Sequence, residues 1–326
     1  MKRRDLLALA LAGTFGVSSM QAWAEGAPFP SRPVTLVVPF TPSSGSDTIA
    51  HIIAPRLAAR GGRRVVVDTG PGASGNLGTA YVAKAAGDGH TLLMAINTHT
   101  ITPAIYKSLP YDALRDFAPV AKLAEANMAL AVNPALPVTD MKSLVAYGKA
   151  HPGKLNYATP GNGTPHHLAM ELFKSAYGVS FSHVPYKGIS GALTDLMGGH
   201  VDLMFASVPS VRTHAQAGKL RLLAVTGEQR TSQLPNVPTF REQGFADMDV
   251  VNAWYAVLAP SRTAPELVAR LNADFVAVMN SDEVKAELAQ QGLQVSTGTP
   301  AQLGTQIQGD VARWKKLVNA TGITAD

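Results

Sequence analysis

The 326-residue chain contains no cysteine, which excludes disulfides, thiolate metal sites and a lipid-modified cysteine anchor. Charged residues make up only 16% and aromatic residues only 6%. With no basic stripe interleaved with aromatics, a nucleic-acid partner is not expected. Long apolar runs are scarce too. The N-terminal run "LLALALAGTFGV" at 6–17 is shorter than the ~20 residues a membrane span needs, and no second segment approaches that length.

What the chain does have is hydrophobic residues, at 46%, enough to bury a sizeable core. Its start reads as an export signal: Lys2, Arg3 and Arg4, the apolar run, then the small-residue site Ala22-Trp23-Ala24. Arg3-Arg4 also fits a twin-arginine signal loosely. Removing 1–24 takes three of 28 basic and one of 23 acidic residues, leaving 25 against 22, or +3. A mildly basic exported chain suits anionic small ligands.

Strand and helix patterns then alternate. Apolar β-branched runs at 34–40, 64–69 and 90–97 are separated by helical spacing at 47–60 and 76–86, the signature of a parallel sheet with crossover helices. After a middle passage the alternation restarts at 128–134 and continues to a strand at 220–226. A strand at 253–260, two helices at 264–279 and 281–291 and a final helix from Pro300 to Val318 complete it. The reading is two α/β lobes crossed near 128–134 and 250–258: residues 25–128 with 254–326, and residues 129–253. Such lobes close on a ligand between them.

In parallel sheets, ligands bind beyond the carboxyl ends of the strands. Three loops at such positions are rich in small residues: "PFTPSSGSD" (39–47), "ATPGNGTPHH" (158–167) and "YKGISGALTD" (186–195). Each precedes a helix whose first N–H groups lack intrahelical partners and lie at the positive end of the dipole, suited to a carboxylate. Thr164 stands at an N-cap position with Pro165 at the first helical one, and Ser46 or Asp47 can cap the helix after the first loop. The bland alternative for each loop is capping alone.

Sharper chemistries are weaker. "GPGASG" (70–75) matches G-x-G-x-x-G, but Pro71 lies in the turn and the next strand ends at Asn97 instead of an acidic residue, so no nicotinamide cofactor is expected. His166-His167 point in different directions on a helix and no H-x-x-x-H pair exists, so no metal is expected. The enzyme alternative is an exported serine-type hydrolase using Ser44, Ser46, Asp47 and a distant His167, but no G-x-S-x-G elbow occurs.

The motifs "PSRPVTLVVPF" (30–40), "PGASGNLGTAYVAKAAGDGHTLL" (71–93), "LPYDALRDFAPV" (109–120), "HPGKLNYAT" (151–159), "HVPYKG" (183–188), "GGHVDLMF" (198–205), "LPNVPTFREQGF" (234–245) and "AWYAVLAP" (253–260) form a collinear set. In these the chain resembles the Bug proteins, the TctC-like extracytoplasmic solute receptors of tripartite tricarboxylate transporters, from about Phe29 to the final helix. The resemblance implies an α/β periplasmic-binding-protein fold of type II, with two lobes joined by a two-strand hinge. It implies a periplasmic, non-enzymatic, cofactor-free monomer that captures a small carboxylate, a dicarboxylate or aromatic acid, and hands it to membrane permease subunits. Where the family reads P-G-G-x-x-D, this chain has Pro42, Ser43, Ser44, Gly45, Ser46 and Asp47. The second loop matches at Gly161, Gly163, Thr164 and His167, with Thr159 in place of the usual serine. Ala206 stands where the family often has an aspartate, which argues against amino-acid ligands. Asn97 and Thr98 fall near the cleft by strand position, and Phe40, Tyr186 and Ser207 complete the expected ligand-binding set.

Overall fold

The computed structural model describes residues 29–322 except 41–43, 71, 73, 74, 187 and 188. The expected export signal, Pro42 and Ser43 lie outside the described residues.

In chain order the first elements are β1 (Val34–Val38), α1 (Gly45–Gly61), β2 (Val65–Thr69), α2 (Asn76–Lys84), β3 (Thr91–Ile96), α3 (Thr98–Ile105) and β4 (Phe117–Ala126). Then come β5 (Met128–Val132), α4 (Met141–Ala150), β6 (Asn156–Thr159), α5 (Pro165–Tyr177), β7 (Ser182–Pro185), α6 (Ile189–Gly198), β8 (Leu203–Ser207), α7 (Val208–Gln216) and β9 (Arg221–Val225). The chain ends with β10 (Ala253–Pro260), α8 (Pro265–Met279), α9 (Asp282–Gln290), β11 (Gln294–Val295) and α10 (Pro300–Thr321).

Two sheets result. One runs β11-β4-β10-β3-β1-β2 and the other β7-β6-β8-β5-β9. Each buries its own core. Leu36, Val38, Ile49, Ile53 and Met94 lie inside the first, and Leu130, Tyr157, Phe173 and Phe205 inside the second. Such separate apolar clusters are what two lobes require, because each must bury its sheet faces independently.

The chain passes between the sheets twice, once through a single residue and once through the long segment that follows β9. Asn127 separates β4 from β5, and Asn252 precedes β10. Met128 therefore sits in the second sheet and Ala253 in the first.

Two elements were not anticipated. "THTITPAI" in α3 carries three β-branched threonines and Pro103, all poor helix formers, yet His99, Thr100, Ile101, Thr102 and Ile105 are buried on it. Tertiary burial overrides propensity there. β4 reads as polar because Lys122 and Glu125 interrupt it; the two pair with each other, and Val120, Ala121, Leu123 and Ala124 are buried around them. Among the described residues, no helix is long and apolar enough to cross a membrane.

Candidate ligand-binding site

Strand register sets the geometry. β1 is parallel to β3, and β10 is antiparallel to both β3 and β4, so β1, β3 and β4 end at one edge of the first sheet. β4 continues through Asn127 into β5, whose first residue pairs with Ser207 at the end of β8. β6 is parallel to β8 and β7 to β6, so Thr159, Pro185 and Ser207 share the edge of the second sheet nearest that junction. The loops after β1 and β3 and those after β6, β7 and β8 thus flank the crossings, where ligands bind in open α/β sheets.

The crossings are tied together by amides. The Met128 N–H donates to Thr226 Oγ1 at 2.8 Å, that hydroxyl donates to Asn252 Oδ1, and Asn127 Nδ2 donates to the Thr226 carbonyl. Asn97, 4% exposed, joins this network by donating Nδ2 to the Asn252 carbonyl at 3.2 Å. Its amide is spent on the hinge.

In the first lobe the helix cap is Ser44, whose Oγ accepts from the Asp47 N–H at 3.3 Å, in place of the expected Ser46 or Asp47. Ser46 is buried and its Oγ lies 3.1 Å from Ser44 Oγ. The Asp47 carboxylate accepts from Thr69 Oγ1 at 3.1 Å and sits 3.4 Å from His51 Nδ1, so it serves the junction of α1 with β2. Gly45 is required where it stands, since a Cβ there would lie 2.3 Å from the Tyr255 hydroxyl on β10. The start of α1 is therefore pressed against a hinge strand. Phe40 and Thr98 border a small cavity shared with Asn76 and His99.

In the second lobe Thr164 is the N-cap of α5, with Pro165 in the first turn. Its Oγ1 accepts from the His167 N–H at 3.4 Å and donates to the Gly161 carbonyl at 2.9 Å. Thr159 is fully buried; its Oγ1 accepts from the Gly161 N–H and lies 2.7 Å from His183 Nε2. Tyr186 closes the loop from below, its N–H donating to the Thr159 carbonyl and its hydroxyl to Asp195.

His167 is only 7% exposed, and its Nδ1 accepts the Gly163 N–H at 3.1 Å. The ring stacks on His183 at 4.0 Å, and His183 stacks on Tyr157 at 4.8 Å, whose hydroxyl donates to Glu171. His167 thus supports the loop through its backbone instead of extending into the cleft. Accepting at Nδ1 requires the neutral ring with its hydrogen on Nε2. Burial first, and the neighbouring His183 second, push its pKa down to about 4.

Burial likewise holds His99 down to about 4. The ordinary value is 6.5, so between pH 6.5 and 4 the unfolded chain binds protons at both rings that the folded chain refuses. Stability is expected to be flat in these groups above pH 6.5 and to fall with acidification below it, by about 1.4 kcal/mol per pH unit for the enclosed His99. Thermal melts from pH 8 to 4 check this, and His99→Leu should flatten the slope. An unchanged slope in that variant would remove His99 as its source.

Ala206 is wholly buried, in the cluster of Ala129, Ala158 and Leu193, and pairs with Ala129 on β5. Ser207 precedes α7 and its Oγ lies 2.9 Å from Ser210 Oγ. Ser44, Asp47 and His167 do not assemble a nucleophile, base and orienter, because Asp47 faces Thr69 and His167 Nδ1 is occupied by the Gly163 N–H.

Sequence reading missed the contact that joins the lobes on the cleft side. Ile101 and Ile105 of α3, Leu168 of α5, and Trp314, Leu317 and Val318 of α10 form one buried cluster. Gly163 meets it directly: a Cβ there would stand 2.4 Å from Ile105 Cδ1. Helical spacing on α5 and α10 signals buried faces but not that the two bury against each other.

A family model described as the tripartite tricarboxylate transporter family receptor (TctC) matches residues 49–323. A UPF0065 protein from the tcbD-tcbE intergenic region of Pseudomonas sp. strain P51 is 38% identical over 317 residues, covering 97% of this chain and 94% of that one. BugT of Bordetella pertussis is 34% identical over 317 residues, covering 96% and 97%. The solved structure of R. palustris Rpa4515 with adipate has a TM-score of 0.78 at 36% identity, covering 91% of this chain and 99% of that one. By family and by fold, the chain belongs to the TctC/Bug family of periplasmic solute-binding receptors, which are binding proteins and not enzymes.

Proposed function

We propose that this receptor captures a small carboxylate, a dicarboxylate or aromatic acid, between residues 25–128 with 254–326 on one side and 129–253 on the other. It then delivers that acid, as a monomer, to the membrane permease of a tripartite transporter. The carrying observation is the pair of N-capped helix starts, Ser44 on α1 and Thr164 on α5, at sheet edges that both adjoin the Asn127 crossing. Each helix start offers N–H groups and partial positive charge, worth ~0.3–1 kcal/mol to an exposed anion and up to ~2 when partly buried. Two such ends suit an acid held by backbone donors, the Ser44 hydroxyl and bridging water. Adipate in a relative of the same fold supports the class. Export and cleavage after Ala24 place the receptor in the periplasm.

A thermal-shift screen of C4–C6 dicarboxylates and aromatic acids tests the reading. A bound acid at 100 times its Kd is expected to add about 2.7 kcal/mol. No shift with any acid in the panel overturns it. Thr164→Ala is expected to cost about 1 kcal/mol of stability through the lost cap and to weaken acid binding further, by about 2- to 10-fold. Titration calorimetry beside a melt separates the two, and unchanged affinity would show that the cap does not set the binding geometry of the loop and helix start.

A further inference from the structure

The parallel register of β6 and β7 sets Tyr157 beside His183, and Thr159, two residues further along β6, faces the same side. A ring at position 183 therefore has an aromatic neighbour and a hydroxyl within reach. It uses both. His183 stacks on Tyr157 at 4.8 Å, and its Nε2 lies 2.7 Å from Thr159 Oγ1. Tyr157 is itself fixed, its hydroxyl donating to Glu171 and the Lys174 ammonium lying 5.3 Å from its ring centre.

Thr159 Oγ1 accepts from the Gly161 N–H at 3.2 Å and has one hydrogen of its own to give. The Gly161 carbonyl, 3.1 Å away, already accepts from Thr164 Oγ1 at 2.9 Å. The shorter contact, to His183 Nε2, takes the hydrogen, so the imidazole accepts there. Burial lowers the His183 pKa against the opposite pull of Glu171, which keeps the ring a neutral acceptor. His183 also stacks on His167 at 4.0 Å and 12°, and His167 Nδ1 accepts the Gly163 N–H at 3.1 Å. Two touching imidazoles, one on β7 and one on α5, thus hold both glycines of the loop, Gly161 through Thr159 and Gly163 directly. Among the described residues nothing accepts from the N–H groups of Asn162 and Thr164.

We propose that His183 is a positioning residue for ligand binding. Through Thr159 it fixes the Gly161 end of the loop, as His167 fixes the Gly163 end, and the stacked pair sets the Asn162 and Thr164 N–H groups to receive the carboxylate. This rests on the reading that an acid binds at the start of α5. It goes further in placing part of the affinity on a side chain outside that loop, acting through the single atom it presents to Thr159.

Two amides separate that atom from the ring. His183→Gln and His183→Asn both remove the stacking surface, but only the longer side chain reaches the position of Nε2. The test is titration calorimetry and thermal melting of the full-length mature receptor and its variants, with whichever of succinate, glutarate, adipate and benzoate stabilises the unaltered protein most. Both variants are expected to melt lower by similar amounts, about 2–4 °C, through the lost ring contacts. His183→Gln should keep its affinity within about twofold, whereas His183→Asn should lose about 3- to 10-fold. Thr159→Val removes the hydroxyl from the other side, and in that background the two amide variants should bind alike. If Thr159→Val fails to fold, the comparison of the two amides stands without it. Equal affinities in His183→Gln and His183→Asn, or affinities that simply follow melting temperature, overturn the proposal. If no acid binds the unaltered receptor, it is the carboxylate reading that fails. The positioning role is then read from amide exchange: the Gly161 N–H should exchange about fivefold or more faster in His183→Asn than in His183→Gln, and equal rates overturn it.

Discussion

Gly163→Ala is expected to weaken organic-acid binding by about 10- to 100-fold, equivalent to about 1.4–2.8 kcal/mol. Gly163 holds φ +67, a left-handed conformation that costs an L-residue roughly 1–2 kcal/mol. The added methyl would also stand 2.4 Å from Ile105 Cδ1, in a cluster where Ile101, Leu168 and Trp314 leave that side chain little space to turn. Overpacking of this kind costs ~1–3 kcal/mol. Since Gly163 belongs to the second lobe and Ile105 to the first, the clash acts on the arrangement that brings the lobes together. The backbone strain acts on the loop whichever way the lobes sit. A double-mutant cycle separates them. Ile105→Val removes the atom struck, so the double variant should recover the clash component and retain the backbone component. Wild-type affinity in Gly163→Ala would show that this contact is absent from the ligand-bound state.

Gly87→Ala is expected to give the largest loss of stability, about 3 kcal/mol and roughly 6–10 °C in Tm, with ligand affinity unchanged. Its Cβ would fall 2.5 Å from the Arg262 carbonyl carbon and 2.7 Å from the Thr263 nitrogen, so backbone meets backbone and no side chain can swing away. Arg262 holds the two segments together by donating Nη2 to the Lys84 and Ala85 carbonyls. The contact lies before β3, at the sheet end remote from the cleft. Chemical denaturation of the variant measures the loss, and calorimetry with the tightest-binding acid measures the affinity. A stable variant would mean the segment shifts at little cost, and a weakened affinity would mean the two ends of the sheet are coupled.

These two glycines illustrate what the sequence could disclose. Alternation of β-branched runs with helical spacing made most of both sheets legible, as did the capping residues Thr164 and Pro165. α3 and β4 were illegible because their local signals oppose their structure: threonines and a proline in a helix, and a Lys–Glu pair in a strand buried on both sides. The roles of Asp47, Asn97 and His167 were hidden for another reason. Each is the kind of residue a ligand site needs, and only the positions of Thr69, Asn252 and the Gly163 N–H turn them inward. The apolar contact between α5 and α10 joins segments about 150 residues apart, beyond the reach of any periodicity argument.

Amide NMR of the receptor titrated with the acid that stabilises it most tests most directly whether chain turns hold the ligand. The N–H resonances of Gly45, Ser46, Thr164 and His166 should move together, saturate at one equivalent, and shift more than any in the polar groove on the other side of the hinge, around Arg230, Arg241 and Lys285. Saturating shifts confined to that groove, with the starts of α1 and α5 unmoved, would contradict the account.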